Sequence, residues 1–353
     1  MKTRKTRLAY SIFVAVLFVL PAFAFPQAPF YQGKTITIIS AREPGGTGDL
    51  RVRAVMPFLQ KYIPGSPTIA LEFMPGGGGR KAANHLYRAV RPDGLTIANI
   101  GAGFVSNAVL GQPGVQYDID KFIYLGSGNS RTSYVFMTRR EAGLDTLGKL
   151  RAASGVRIGA HSVGHDIYIN GRLFAWIIPV KDHRFVTGYS WPEMDLAILR
   201  GEIDSRAGIT DTLAERTPEW IEKGLMHLHA ILEIPKGFRH EHPVYKPLPS
   251  LESLTRTDAQ RRVLAMFRNF RLIGSPFLAP PGTPKERVDI LEEAFRKTFR
   301  DPEFLKEFQK LTGAEATPLM PEEQERTIKE IPREREVIDL FNKIAGAGPL
   351  PSR

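Results

Sequence analysis

One hydrophobic pattern recurs along this chain: a short apolar run, a glycine-rich turn, then apolar residues at helical spacing. Its first instance is residues 35–40 (TITIIS), the turn Pro44-Gly45-Gly46-Thr47-Gly48-Asp49, and a stretch with Val55, Phe58, Leu59 and Tyr62 on one helical face. Asp49 has the character of an N-cap, and Pro57 predicts a kink or restart within that helix. A second instance runs from 68–71 through a turn at 75–79 into a helix over 80–88. Residues 95–100 form a third strand, ending in Gly101-Ala102-Gly103. Strands that each end in such a turn place the turns along one edge of a sheet.

Residues 134–137, 156–159, 184–187 and 227–232 repeat the strand pattern, which predicts a second α/β domain. Residues 271–279 read as a further strand. Beyond it, Thr283 is the expected N-cap, Pro284 the first helical residue and Glu286 the partner in a capping box, with Val288, Leu291, Phe295 and Phe299 as the apolar stripe. Asp301-Pro302 opens another helix bearing Phe304 and Phe308. These aromatics are expected in a core, not around a ligand.

The length, 353 residues, suits two domains, and 42% hydrophobic with 24% charged residues excludes collagenous, disordered and multi-span membrane classes. The absence of cysteine removes disulfides, thiolate-bound metals and thiol nucleophiles. Lys2, Arg4, Lys5 and Arg7 precede an apolar run over 8–20 and then Ala22-Phe23-Ala24, the pattern of a signal peptide over residues 1–24. Without that leader's four basic residues the formal charge falls from +11 to +7. No run of five consecutive Lys/Arg residues occurs, so the positive balance points to acidic small molecules, not to nucleic acid. The mature chain is expected to be soluble and periplasmic.

Glycines between a strand and a helix let N–H groups converge at the positive helix end, a place for phosphate or carboxylate. Nucleotide motifs fail: Gly33-Lys34-Thr35 precedes its strand and has Ala28 where a P-loop needs glycine, and Gly101-Ala102-Gly103 continues to Ser106 instead of a third glycine. Ala160-His161-Ser162-Val163-Gly164 admits two readings. As a nucleophile elbow, Ser162 would attack, Asp182 or Asp204 would orient the base, and His227, His229, His240 or His242 would take the proton. As a helix-start turn, Ser162 and the following N–H groups would hold an anion, and this second reading is favoured. His161 and His165 could share a helical face, but no His-Glu-x-x-His accompanies them and no metal is expected.

Several segments occur in a characteristic order. They are Gly-Lys-Thr-Ile-Thr-Ile at 33–38, Pro-Gly-Gly-x-x-Asp at 44–49 with Arg53 after it, and Met-Pro-Gly-Gly-Gly-Gly at 74–79 leading to Ala82-Ala83-Asn84. Pro92-Asp93-Gly94, Thr187-Gly188-Tyr189, Arg200-Gly201-Glu202-Ile203-Asp204 and APPGTP at 279–284 follow. Through them the chain, from about Tyr31 to Pro332, resembles the substrate-binding receptors of tripartite tricarboxylate transporters, the Bug receptors. The resemblance implies an α/β, two-domain, periplasmic-binding-protein-like fold (Venus flytrap, type II-like) with a ligand cleft between lobes. Lobe I is expected from residues 25–127 plus 270–353, and lobe II from 128–269.

The same resemblance implies a monomeric extracytoplasmic receptor, not an enzyme, that captures a small carboxylated organic anion and delivers it to membrane permease subunits, with no cofactor. Expected ligand contacts are Gly45, Gly46, Thr47 and Asp49 after the first strand, Ala160, His161, Ser162 and Gly164 in the second turn, and Thr187, Gly188, Tyr189 and Asp204. Most would act through backbone N–H groups, so no buried Lys or Arg is required. Each helix end offers an anion only about 0.3–1 kcal/mol, so several must converge. Ser190-Trp191 and Ser205 stand where relatives often carry glycine, and Arg42 where a small or apolar residue is usual. If Arg42 or Trp191 reaches the cleft, the ligand is larger, more aromatic or more acidic than a simple dicarboxylate. A secreted hydrolase using Ser162 and a receptor feeding a membrane sensor are the alternatives.

Overall fold

The computed structural model describes residues 28–352; the expected leader over residues 1–24 lies outside the described residues. Ten strands occur there: β1 Thr35–Ser40, β2 Thr68–Phe73, β3 Thr96–Asn99, β4 Ile123–Gly126, β5 Thr132–Arg139, β6 Arg157–Gly159, β7 Arg184–Val186, β8 Ser205–Ile209, β9 Met226–Ile234 and β10 Phe277–Ala279. They form two five-stranded sheets, ordered β2-β1-β3-β10-β4 and β7-β6-β8-β5-β9. The helices are α1 Thr47–Tyr62, α2 Arg80–Arg88, α3 Gly103–Val109, α4 Leu147–Ala152, α5 Asp166–Ile177, α6 Trp191–Leu199, α7 Thr210–Arg216, α8 Pro218–Glu222, α9 Asp258–Leu272, α10 Lys285–Arg300, α11 Pro302–Thr312, α12 Pro321–Lys329 and α13 Arg335–Ala345.

The sheets are built alike. In the first, β1, β2 and β3 run parallel and β10 lies antiparallel between β3 and β4. In the second, β6, β7 and β8 run parallel and β5 lies antiparallel between β8 and β9. Each reversed strand is the one that the chain enters on crossing between lobes.

Alternation explains how β1 fixes its sheet. Ile36 and Ile38 pack with Val52, Val55, Phe58 and Leu59 of α1, whereas Ile39 points to the other side with Ala98, Ile100 and Phe104. The expected core aromatics Phe295, Phe299, Phe304 and Phe308 of α10 and α11 complete the first layer and are buried.

The lobes meet at residues 127–131 and 273–276, beside a third segment at 317–319. The Ser275 N–H donates to Ser127 Oγ (3.1 Å), the Ser127 N–H to the Leu319 carbonyl (2.9 Å) and the Ser130 N–H to Thr317 Oγ1 (2.9 Å). Residues 335–352, expected with lobe I, contact the second lobe: α13 packs on α5 and α9, and Arg172 Nη2 of α5 donates to the Gly348 carbonyl (2.7 Å).

Four local expectations are corrected. Residues 271–279 are not one strand. A capping box of Thr257 and Gln260 starts α9, whose Val263, Phe267 and Phe270 stay buried, and the helix runs to Leu272 before the three-residue β10. The N-cap of α10 is Pro284, and Thr283 instead donates its hydroxyl to the Pro280 carbonyl (2.8 Å). Gly46, not Asp49, is the N-cap of α1. Finally, α1 continues through Pro57, because Pro57 and Arg53, four residues before it, are both exposed, leaving the unbonded carbonyl on the solvent side.

Candidate functional site

The turns after β1, β2 and β3 and those after β6, β7 and β8 all lie at the carboxyl ends of parallel strands, the edge where open α/β sheets bind ligands. Between the lobes is a cleft of about 1500 Å³. Its walls come from both: Thr47, Gly48 and Arg51 at the start of α1 on one side, and Gly164, His165 and Asp166 at the start of α5 on the other. The crossing segments supply its floor through Ser130, Gly274 and Ser275.

Four arginines, Arg42, Arg51, Arg131 and Arg271, line the cleft together with Asp166, Asp211, Glu241 and Glu315; of the arginines, Arg42, Arg51 and Arg271 act on one another. Arg42 follows β1 and lies across two glycines. A Cβ on Gly48 would sit 2.7 Å from Arg42 Cγ, and one on Gly101 would sit 2.1 Å from Arg42 Nη2. Glycine at these two positions makes room for the arginine, whose Nη2 donates to Ser275 Oγ (3.2 Å). Water reaches Arg42 in the cleft, yet the surrounding protein desolvates it, and the nearby charge of Arg271 adds to that; both push its pKa below the ordinary arginine value. Arg51 is pushed down by the same desolvation, then by Arg42 and Arg271, and its Nε is buried without a partner. All three guanidinium groups remain charged at neutral pH.

On the second lobe, Asp166 opens α5. Burial alone would raise its pKa, but His165, Arg271 and the Ile167 N–H overcome this and hold it down at about 2. Its Oδ2 stands 3.4 Å from Arg271 Nη2 and its Oδ1 accepts from the Ile167 N–H (3.0 Å). The positive end of α5 therefore already carries a carboxylate of the protein itself.

Of the expected contacts, Thr47 and Gly164 line the cleft. Gly45 and Gly46 are exposed in the loop before α1, where the Gly45 N–H donates to Asp49 Oδ2 (2.7 Å). Asp49 is buried and also accepts from Arg53 Nε (2.8 Å), so it closes its own loop and helix. Ala160 is fully buried, Ser162 is exposed, and the His161 ring lies 4.3 Å from that of His165. Gly188 is exposed, Tyr189 is half-buried, and Thr187 borders a separate shallow pocket with Arg172 and Gly348. Asp204 precedes β8 and so lies at the opposite end of its strand from the cleft. There it binds Arg157 through Nη2 (2.6 Å) and Nε (2.9 Å), and it lies 3.4 Å from Arg139 Nε.

Arg42 reaches the cleft, whereas Trp191 packs with its ring 5.2 Å from that of His161 and 5.3 Å from the Arg206 guanidinium carbon. Arg51, Arg271 and Asp166 were not singled out in the sequence. One signal was available for Arg51: a basic side chain near the positive end of a helix opposes the helix dipole and invites an anion.

The hydrolase arrangement is not assembled. Asp204 is engaged by arginines, Asp182 accepts from Ser154 Oγ (2.9 Å), and burial pushes His229 down to about 4 while it bonds Thr138 Oγ1 (2.8 Å). The Ser162 carbonyl accepts from the His165 N–H (3.1 Å), and among the described residues no group of three or more His, Cys, Asp or Glu side chains could hold a metal.

No protein-family model matches the chain, and no curated protein matches it at a significant level. Among solved structures, a TctC solute binding protein from Polaromonas aligns with a TM-score of 0.64 at 17% identity, covering 89% of this chain and 98% of its own. An R. palustris protein solved with adipate aligns at 0.56 and 18% identity, covering 89% and 97%. MatC from Rhodopseudomonas palustris with bound malate aligns at 0.53 and 19% identity, covering 89% and 99%. At these identities the likeness establishes the fold: the chain has the two-lobed periplasmic-binding-protein architecture that its sequence resemblance implied.

Proposed function

We propose that this protein is an extracytoplasmic solute-binding receptor that captures a small organic acid between its lobes and delivers it to membrane permease subunits of the tripartite tricarboxylate type. The observation that carries this reading is the cleft itself, open between two similarly built sheets and lined by four guanidinium groups, of which Arg271 faces the Asp166 carboxylate. A ligand bridging Thr47 and Arg51 on one wall and Gly164 on the other gains contacts only when both lobes approach, so binding shifts the population towards the closed form. No covalent step is needed.

Two of the aligned structures carry dicarboxylates, malate and adipate, which supports an organic acid as cargo. The leader at residues 1–24 supports export, and among the described residues no helix is long and apolar enough to cross a membrane. The receptor works as a monomer, both walls of its cleft being supplied by one chain.

Calorimetry of the mature chain against mono-, di- and tricarboxylates, aromatic acids and amino acids tests the reading. At least one organic anion is expected to bind with a stoichiometry of one. If none gives heat or raises the melting temperature, the receptor reading fails.

A further inference from the structure

We propose that the arginine cluster selects a tetrahedral, multiply charged oxyanion, so that the cargo is an organic acid bearing a phosphate or phosphonate group bound by Arg42, Arg51 and Arg271. This deepens the receptor reading and rests on it.

The first ground is unspent charge. Arg42 donates to the neutral hydroxyl of Ser275 and the Nε of Arg51 is buried without a partner, whereas Arg271 shares its charge with Asp166. Among the described residues neither Arg42 nor Arg51 forms an ion pair, and the main charges acting on them are those of arginines. The cleft does hold acids, but they are placed elsewhere. Asp166 faces Arg271, and Asp211 lies 3.7 Å from His240 Nε2. Holding like charges together without a counter-ion is unfavourable, and an arriving anion removes that cost.

The second ground is donor geometry. Each guanidinium offers five N–H donors in a planar fork. A carboxylate presents two oxygens in one plane, which one or two forks satisfy. Forks carried by the loop after β1, by α1 and by the end of α9 line one cleft and together offer more donors than a single carboxylate can use, whereas a tetrahedral group adds a third terminal oxygen and a second charge. Gly48 and Gly101 leave space that only a residue without a side chain provides, and that space is filled by Arg42. The cation is thus built into the wall instead of resting on its surface.

Calorimetry with 3-phosphonopropionate and succinate, which share a carbon chain and differ in one terminal group, tests the assignment. Inorganic phosphate is a third probe. The phosphonate should bind about ten- to hundredfold more tightly than succinate, as expected for one or two added charge-assisted hydrogen bonds. Arg51→Gln should reduce that preference to within about threefold, with Arg42→Gln as the second variant if the first does not fold.

Succinate binding as tightly as the phosphonate overturns the proposal and leaves the receptor reading intact. Phosphonate preference unchanged in both folded variants overturns the assignment to these arginines. Inorganic phosphate binding as tightly as the phosphonate removes the organic part. No binding of these probes or of the wider panel defeats the receptor reading as well.

Discussion

The two lobes face the cleft with glycine turns that serve different ends. Around Arg42 and at the crossing the glycines are hemmed in: a Cβ on Gly101 would meet Arg42 at 2.1 Å, and one on Gly274 would meet the Asn129 carbonyl at 1.7 Å. In the second lobe Gly164 has nothing within 4 Å of the place a Cβ would take. The cleft is therefore tightly packed where Arg42 and the crossing lie, and open at the Gly164 rim. Glycine in a turn can mark close approach or merely backbone conformation, and the sequence alone does not distinguish them.

The largest expected effect follows at the crossing. Gly274 has φ +67° and sits where two crossing strands of chain touch. Gly274→Ala adds backbone strain to a collision with main-chain atoms that cannot swing away, so it should destabilise the fold by about 3 kcal/mol or more. A denaturant melt reads this directly. Wild-type stability in that variant would remove the distinction between packed and open glycines.

Asp166→Asn probes the charge that the open rim contributes. Stability should fall by about 2 kcal/mol, because the carboxylate is held near pKa 2 against an ordinary value near 4. Its folded pKa lies below the unfolded one, so this contribution is complete above about pH 4 and is lost as the pH falls towards 2. Affinity for an anion should rise, since Arg271 loses its partner. Weaker anion binding in a folded Asp166→Asn variant would show that Asp166 is itself part of the ligand site.

Much of the scaffold was legible. The edges of β1 and α2 match their expected positions because alternation and glycine punctuation are local properties. The helix α9 was missed. Its buried apolar residues are interleaved with Arg261, Arg262, Arg268 and Arg271, and the apolar residues around Gly274 imitate a continuing strand. The arginine cluster was legible only in Arg42, as a departure from the resemblance. Arg51 and Arg271 belong to helices whose meeting depends on two crossings of the chain, and no local pattern encodes that. Backbone turns were expected to carry the anion, yet Asp49 and Asp166 already occupy the starts of α1 and α5.

On the open rim itself, Gly164→Ala should cost about 1 kcal/mol, from its φ of +83° alone. A loss as large as that for Gly274→Ala would mean that the rim is as tightly built as the floor. Thermal melts of the two variants measured side by side decide it.

The smallest effect is expected at Trp191, which lies behind the rim. Its indole faces His161 and the guanidinium of Arg206, which Trp220 also faces at 4.9 Å. Trp191→Phe keeps an aromatic face for the cation and should cost about 0.5–1 kcal/mol of stability. Anion affinity, measured by calorimetry with whichever acid binds the wild type, should stay within about twofold, because a change confined behind the rim alters no cleft charge. A tenfold loss of affinity without loss of stability would place the indole against the ligand in the closed form, and the rim would then be a specificity element instead of a passive edge.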